Sequence, residues 1–207
     1  MNELFLAFAA AFIVPLLFQS WRIAIAGLAV QGILLSILPA AHVHEWTPQV
    51  VFECITLFVF RGILTPWLIV TRLSPDLRVE RLSLIGTNLF QWACAAILIT
   101  SGYLLANAIS PNNAQESIQF GTAVGCILIG MLILSNRSNR LGQAVGLLTI
   151  ESGMALVELL SPHAMPFPAS IGVAAVYLFL ILTILTYLQK RPDKMATVSP
   201  AGNGRNV

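Results

Sequence analysis

Residues 51–70 read VFECITLFVFRGILTPWLIV, a stretch of twenty residues in which Glu53 and Arg61 are the only charged side chains. A helix needs about 20 mostly apolar residues to cross the hydrocarbon core of a bilayer, so this stretch is suited to span one. The rest of the chain resembles it: 57% of the 207 residues are hydrophobic and 10% are charged. Soluble domains carry roughly 25% charged residues. This composition excludes an ordinary soluble enzyme and predicts an all-α integral membrane protein.

Turn-forming residues divide the chain into seven apolar stretches. We predict membrane spans over residues 3–19, 22–41, 50–71, 82–109, 118–135, 141–160 and 168–189. The first is short and interrupted by Pro15, but Glu3 stands where a signal peptide has basic residues, so we expect it to be retained. Residues 1–190 are predicted to form a single transmembrane domain. The polar residues 191–207 are predicted to form a disordered cytoplasmic tail.

The basic residues predict the orientation of the chain. With seven spans, ten of the eleven fall in the first, third and fifth connections and in the tail: Arg22, Arg72, Arg78, Arg81, Arg137, Arg140, Lys190, Arg191, Lys194 and Arg205. The positive-inside rule then places the N-terminus outside and the C-terminus in the cytoplasm, and we expect the protein in the cell (inner) membrane. The net charge of +2, with no basic cluster beside aromatic residues, argues against nucleic-acid binding.

The eleventh basic residue, Arg61, lies inside the third predicted span. It is about ten residues from the cytoplasmic end of that span, and Glu151 lies eleven residues beyond Arg140, at the cytoplasmic start of the sixth. With a rise of 1.5 Å per residue, both should lie roughly 15–17 Å from that surface, near the bilayer centre. A charge at this depth is expected to face protein or water and to have a partner. The sequence therefore predicts that Arg61 and Glu151 are partners at the same depth.

Glu53 and Glu158 form a second charged layer, about two turns closer to the outside on the same two helices. Two interpretations remain open. The four side chains could form a proton or ion relay in which Arg61 sets the proton affinity of Glu151, or a buried ion pair could only fix the helix register. Other polar residues in the spans could line a wet path or form interhelical hydrogen bonds: Gln31, Asn88, Gln91 and Asn107.

The sequence contains no motif for catalysis or for a cofactor. No nucleophile–base pair, phosphate loop or haem, flavin or nucleotide signature is present. Cys54, Cys94 and Cys126 stand alone in different apolar stretches, so neither a metal site nor a disulfide is indicated. We expect no active site, metal or cofactor in this chain, and any redox chemistry would belong to a partner.

Three segments carry a family resemblance. SNRLGQAVGLLTIESGMALVELL (138–160) resembles the RxxLxxxxGxxxxENG segment of the hydrogenase-4 component E family. QSWRIAIAGLAVQGILLSIL (19–38) resembles the start of the second helix of that family, and FVFRGILTPWLI (58–69) its third helix. The family is itself similar, over its last three helices, to NADH-quinone oxidoreductase chain 4L, which residues 118–189 of this chain would match.

The resemblance implies a membrane subunit of an energy-converting, formate hydrogenlyase-type complex. Its partners would be antiporter-like membrane subunits and peripheral hydrogenase-like subunits, and its role would be to help couple their redox chemistry to proton or sodium movement. Glu151 matches the acid of the family segment, and Arg61 matches a mid-helix basic residue that is usually lysine. The chain departs from the family at Ser152, where asparagine is expected, and in the last helix, where Val176 or Tyr177 stands in place of an acid.

Two alternatives to the relay subunit remain. The chain could be a structural membrane anchor of the same complex that moves no ions. It could also be a free-standing small transporter, although the two halves of the sequence show no convincing similarity. The sequence does not distinguish H⁺ from Na⁺ as the transported ion.

Overall fold

The computed structural model describes residues 2–17, 20–42, 46–72, 89–136, 140–160 and 167–189. Within these ranges the ordered elements are all helical and contain no strand, which confirms the predicted all-α class. The predicted tail, 191–207, and the first part of the fourth predicted span, 82–88, lie outside the described residues.

A helix lies on each of the seven predicted stretches, although the fourth can be compared only from Leu89 onward. The helices are α1 (Asn2–Leu17), α2 (Trp21–His42), α3 (Pro48–Arg72), α4 (Leu89–Ile109), α5 (Ala114–Asn136), α6 (Arg140–Leu159) and α7 (Phe167–Gln189). Five of them, namely α2, α3, α4, α5 and α7, are long and apolar enough to cross a membrane. Helix α1 is shorter, and α6 carries Gln143, Glu151 and Glu158, which lower its hydropathy.

Local capping explains where two of the helices begin. The Thr47 hydroxyl accepts a hydrogen bond from the Val50 N–H at 3.4 Å, and Pro48 occupies the first turn of α3, where its missing N–H is not needed. Asn113 Oδ1 accepts from the Glu116 N–H at 3.2 Å at the start of α5. Short polar side chains at these positions satisfy backbone donors that would otherwise have no partner.

Two apolar clusters form most of the core of the bundle. The Phe8 cluster joins α1, the end of α2, α4, α5 and the end of α6: Phe5, Phe8, Phe12, Leu35, Leu38, Ala95, Ala123, Cys126, Ile129, Ile133, Ala155 and Leu156. The Leu148 cluster joins the starts of α2 and α6 to the ends of α3 and α7: Ala24, Ile25, Leu28, Ile69, Leu141, Ala144, Val145, Leu148, Ile184 and Leu188. Because the Leu148 cluster joins those four helix termini, Arg22, Arg72 and Arg140 lie at the same end of the bundle.

Helices α5 and α6 approach each other through glycines. A Cβ atom added to Gly146 would lie 2.8 Å from the Leu134 nitrogen and 3.0 Å from the Gly130 carbonyl oxygen. Small residues allow this backbone contact, which is the usual way in which membrane helices pack closely. The contact holds α6, the least apolar of the long helices, firmly against α5.

Candidate functional site

Polar side chains lie between the two apolar clusters along α2 and α6. On α2, the fully buried Gln31 falls between Leu28 of the Leu148 cluster and Leu35 of the Phe8 cluster. On α6, three polar residues lie between Leu148 and Ala155: Thr149, Glu151 and Ser152. We refer to Gln31, Arg61, Thr149, Glu151 and Ser152 as the polar layer.

Arg61 enters this layer from an irregular part of α3. Residues Phe58–Leu64 form a wide π-helical segment, and Pro66, which lacks an N–H, follows within two residues. The Thr65 N–H and its hydroxyl both donate to the Phe60 carbonyl oxygen, the hydroxyl at 2.6 Å. Single π turns are rare and often occur at functional sites. The wide turn thus lies just before this proline.

Helix α2 packs directly on this wide turn at Gly32. A Cβ atom at Gly32 would lie 2.5 Å from the Arg61 carbonyl carbon and 2.6 Å from the Gly62 nitrogen. Both are backbone atoms, so a side chain could not be accommodated by a change of rotamer. Gly32 therefore allows the Arg61 backbone to lie directly against α2.

The guanidinium of Arg61 forms an ion pair with Glu151 on α6 through Nη2 and Oε1. Arg61 is 6% exposed and Glu151 is 19% exposed, so the pair is largely removed from solvent. The contact joins residues 90 positions apart in the chain. It brings together the two residues that the sequence places at one depth.

Tyr177 of α7 completes the surroundings of Arg61. Its ring centre lies 4.5 Å from the Arg61 Cζ atom, a cation–π geometry. Its hydroxyl lies 2.9 Å from Thr65 Oγ1. Because the Thr65 hydroxyl donates its hydrogen to the Phe60 carbonyl, the Tyr177 hydroxyl is the donor in this contact. Three helices, α3, α6 and α7, therefore meet at the guanidinium.

Three buried polar atoms of the layer have no hydrogen-bond partner among the described residues: Gln31 Oε1, Arg61 Nη1 and Glu151 Oε2. The amide nitrogen of Gln31 donates to the Ala11 carbonyl on α1 at 3.2 Å. Buried polar atoms are nearly always paired with protein or with ordered water. These three atoms are therefore the unsatisfied hydrogen-bonding groups of the layer among the described residues.

Glu158 and Glu53 lie farther along α6 and α3 and are half-buried. The charge of Glu158 interacts with the charges of Arg61, Glu53 and Glu151. Glu53 also accepts a hydrogen bond from Gln49 Nε2 at 3.3 Å. All four predicted site residues thus belong to one electrostatic neighbourhood, with Arg61 and Glu151 in direct contact.

The sequence interpretation missed Thr65, Tyr177 and Gly32 as parts of this site. A tyrosine in the middle of an apolar helix and a threonine directly before a proline were the available signals. Gly32 offered no signal by itself, because its role depends on which helix lies opposite.

No cluster of three or more His, Cys, Asp or Glu that could hold a metal ion occurs in the part of the chain that the structure describes. The buried Cys126 thiol donates to the Thr149 carbonyl at 3.3 Å and so helps to join α5 to α6. The site is a charged array within a helical bundle, and its available chemistry is proton or ion binding at carboxylates.

Comparison with known proteins gives one distant relative. The chain is 23% identical, over 164 residues, to an uncharacterized protein of Mycobacterium tuberculosis, Rv0085. The aligned part covers 76% of this chain and 73% of that protein. No protein-family model matches the chain, and no solved structure does.

Proposed function

We propose that the chain is a membrane subunit of an energy-converting, hydrogenase-4-like complex and helps to couple redox chemistry in partner subunits to proton or sodium movement. Glu151 is the ion-carrying carboxylate, and Arg61 is the charge that controls its ion affinity. Glu158 and Glu53 continue the path toward the start of α3. The observation that carries the proposal is the buried Arg61–Glu151 pair. Ionisable residues inside membrane helices usually serve function, because they are costly to bury.

The topology proposed with this function has seven spans, with the N-terminus outside and the C-terminus in the cytoplasm of a cell whose inner membrane holds the protein. Support comes from the shared position of Arg22, Arg72 and Arg140 at one end of the bundle. Arg22 stacks on Trp21 and Arg140 stacks on Tyr187, with distances of 5.3 and 5.4 Å to the ring centres. Basic and aromatic residues together are typical of a membrane interface.

The proposal is tested on the assembly that contains the chain. The tagged protein is purified in mild detergent, and its partners are identified by mass spectrometry. The assembly is then reconstituted in vesicles, and ion uptake is measured while the redox reaction of the copurified subunits proceeds. We expect Glu151→Gln to reduce uptake to about a tenth or less without loss of subunits, since an amide cannot carry the proton.

The matched control is Glu116→Gln, the same chemical change at an exposed glutamate in the first turn of α5. It should leave uptake unchanged. Equal uptake by Glu151→Gln and wild type would contradict the relay. Purification of a homo-oligomer without hydrogenase-like partners would contradict the complex and favour a free-standing transporter.

A structural anchor is the second candidate, and the same ion pair gives it support. Arg61 joins α3 to α6 and α7, and buried ion pairs can serve only to fix the register of helices. An anchor predicts that the double variant Arg61→Met/Glu151→Leu keeps all ion uptake of the assembly. The relay predicts that this variant loses it.

A further inference from the structure

The Arg61–Glu151 pair is joined by one hydrogen bond although its chemistry allows two. A guanidinium and a carboxylate often form two parallel bonds. Here Nη2 bonds Oε1, whereas Nη1 and Oε2 are buried and have no hydrogen-bond partner among the described residues. A second direct bond would satisfy both atoms at once. The pair is therefore one hydrogen bond short of the arrangement that its chemistry allows.

The Tyr177 ring lies beside this single-bonded pair. The Arg61 Cζ atom is 4.5 Å from the ring centre, and the position of the ring is fixed through Thr65 to the Phe60 carbonyl. A ring held in this place limits how far the guanidinium can turn toward the coplanar arrangement that two bonds need.

The chemistry of the two free atoms identifies their ligand. Arg61 Nη1 is a donor and Glu151 Oε2 is an acceptor. A water molecule accepts from the first and donates to the second, and buried waters typically bind where protein polar atoms lack partners. An anion would be repelled by the carboxylate, and a metal cation would lie beside the guanidinium charge. Water is the ligand that fits both atoms.

We propose that a buried water bridges Arg61 Nη1 and Glu151 Oε2, that Tyr177 is the positioning residue that keeps this site open, and that the proton reaches Glu151 through this water. The bridging water donates one of its protons to Oε2 while it takes up a proton that arrives from the aqueous side, so that a neutral water and a neutral carboxylic acid remain. The reverse step returns the proton to the aqueous side. The proton step rests on the proposed relay, whereas the water and the role of Tyr177 do not.

Four groups with charge or titratable protons interact with Glu151, three of them on neighbouring helices. They are Arg61 from α3, Cys126 from α5, Tyr177 from α7 and Glu158 farther along α6. Assignment of a pH profile to Glu151 therefore requires a method that detects this carboxyl individually.

The test uses dicyclohexylcarbodiimide, which reacts with protonated carboxyl groups in apolar surroundings. Membranes that contain the full chain are treated at a series of pH values, and the labelled fraction of Glu151 is measured by peptide mass spectrometry. We expect labelling of the wild type to rise as the pH falls. Tyr177→Phe, which keeps the ring, should behave nearly the same.

Tyr177→Leu removes the ring, so Arg61 can form the second bond and hold Glu151 ionised. We expect labelling of Glu151 to fall about tenfold at a given pH, as one added charge-assisted hydrogen bond would produce. Equal labelling of Tyr177→Leu and wild type would overturn the positioning role and leave the proposed relay intact. Absence of labelling in the wild type at every pH would overturn both.

A second measurement needs no folded Tyr177 variant. Infrared difference spectra between low and high pH are recorded for the purified wild type in H₂¹⁶O and in H₂¹⁸O. We expect a water O–H band that shifts with the isotope in the wild type and is missing in Glu151→Gln. If protonation of Glu151 changes no isotope-sensitive water band, the bridging water is wrong.

Discussion

The guanidinium of Arg61 and the carboxylate of Glu151 differ in whether they can become neutral, and this difference controls the cost of burying each without its partner. A charge at the centre of a membrane helix costs about 2.5–3.5 kcal/mol on insertion scales. A carboxylate without its partner can take up a proton and become neutral, whereas a guanidinium cannot lose its charge in a protein. Loss of Glu151 should therefore be more harmful to the fold than loss of Arg61, although the two residues form the same contact.

This asymmetry gives a prediction about stability. Glu151→Leu should lower the free energy of unfolding by about 3–5 kcal/mol, because a buried charge is left without a partner. Arg61→Met should lower it by less, and Arg61→Met/Glu151→Leu should recover most of the loss. Denaturant unfolding of the four proteins in detergent, followed by circular dichroism, measures these differences. Equal losses in both single variants, without recovery in the double variant, would contradict the asymmetry.

At the level of the helices, the site depends on the contact of α2 with the wide turn of α3. Pro66 lacks a backbone donor, and the wide Phe58–Leu64 segment ends two residues before it. Gly32 then allows α2 to touch the Arg61–Gly62 peptide. Helices α2 and α3 therefore determine the position of the Arg61 backbone, independently of the contacts that its side chain makes with Glu151 and Tyr177.

Gly32→Ala should disturb this contact, since the added Cβ meets backbone atoms that cannot move aside. We expect a loss of about 1–3 kcal/mol of stability, as for overpacked cores. Gly172→Ala is the matched control, because a Cβ at Gly172 of α7 has nothing within 4 Å. It should preserve stability or increase it by up to about 1 kcal/mol through helix propensity. Thermal unfolding in detergent measures the stability of both variants. If Gly32→Ala is as stable as Gly172→Ala, the close approach of α2 to the Arg61–Gly62 peptide is not needed.

At the scale of the whole molecule, the helix ends that carry arginine lie at one end of the bundle. Arg22, Arg72 and Arg140 flank the Leu148 cluster, and the proposed orientation places this end in the cytoplasm. Cysteines introduced at Arg22 and at Asn112 should therefore react from opposite sides of the membrane. Both variants are made in a background in which Cys54, Cys94 and Cys126 are replaced by serine or alanine. In intact cells, a membrane-impermeant maleimide should label Asn112→Cys but not Arg22→Cys. The opposite pattern would reverse the proposed orientation.

Much of the helical framework follows from sequence, because long apolar stretches separated by turn residues leave few alternatives in a membrane. The contact of Arg61 with Glu151 also agrees with the sequence, since helix rise predicts that the two residues lie at one level of their helices. The wide turn before Pro66 does not, because a change from i→i−4 to i→i−5 hydrogen bonding leaves the apolar pattern nearly unchanged. Tyr177 was noted only by its position in the last helix. Its contact with Arg61 depends on how α7 is rotated against α3, and this rotation cannot be read from the pattern of apolar and polar residues.

The 90-residue separation of Arg61 and Glu151 has a consequence for biosynthesis. A ribosome adds about 5–20 residues per second, so roughly 5–18 s pass between the synthesis of the two partners. During this interval α3 carries a permanent charge without its counter-ion, and α6, which supplies the counter-ion, is not among the helices apolar enough to span by themselves. Insertion of α6 should therefore depend on α5, its glycine-packed neighbour. We expect α3 to stay close to the translocation machinery until α5 and α6 have been synthesised and inserted together.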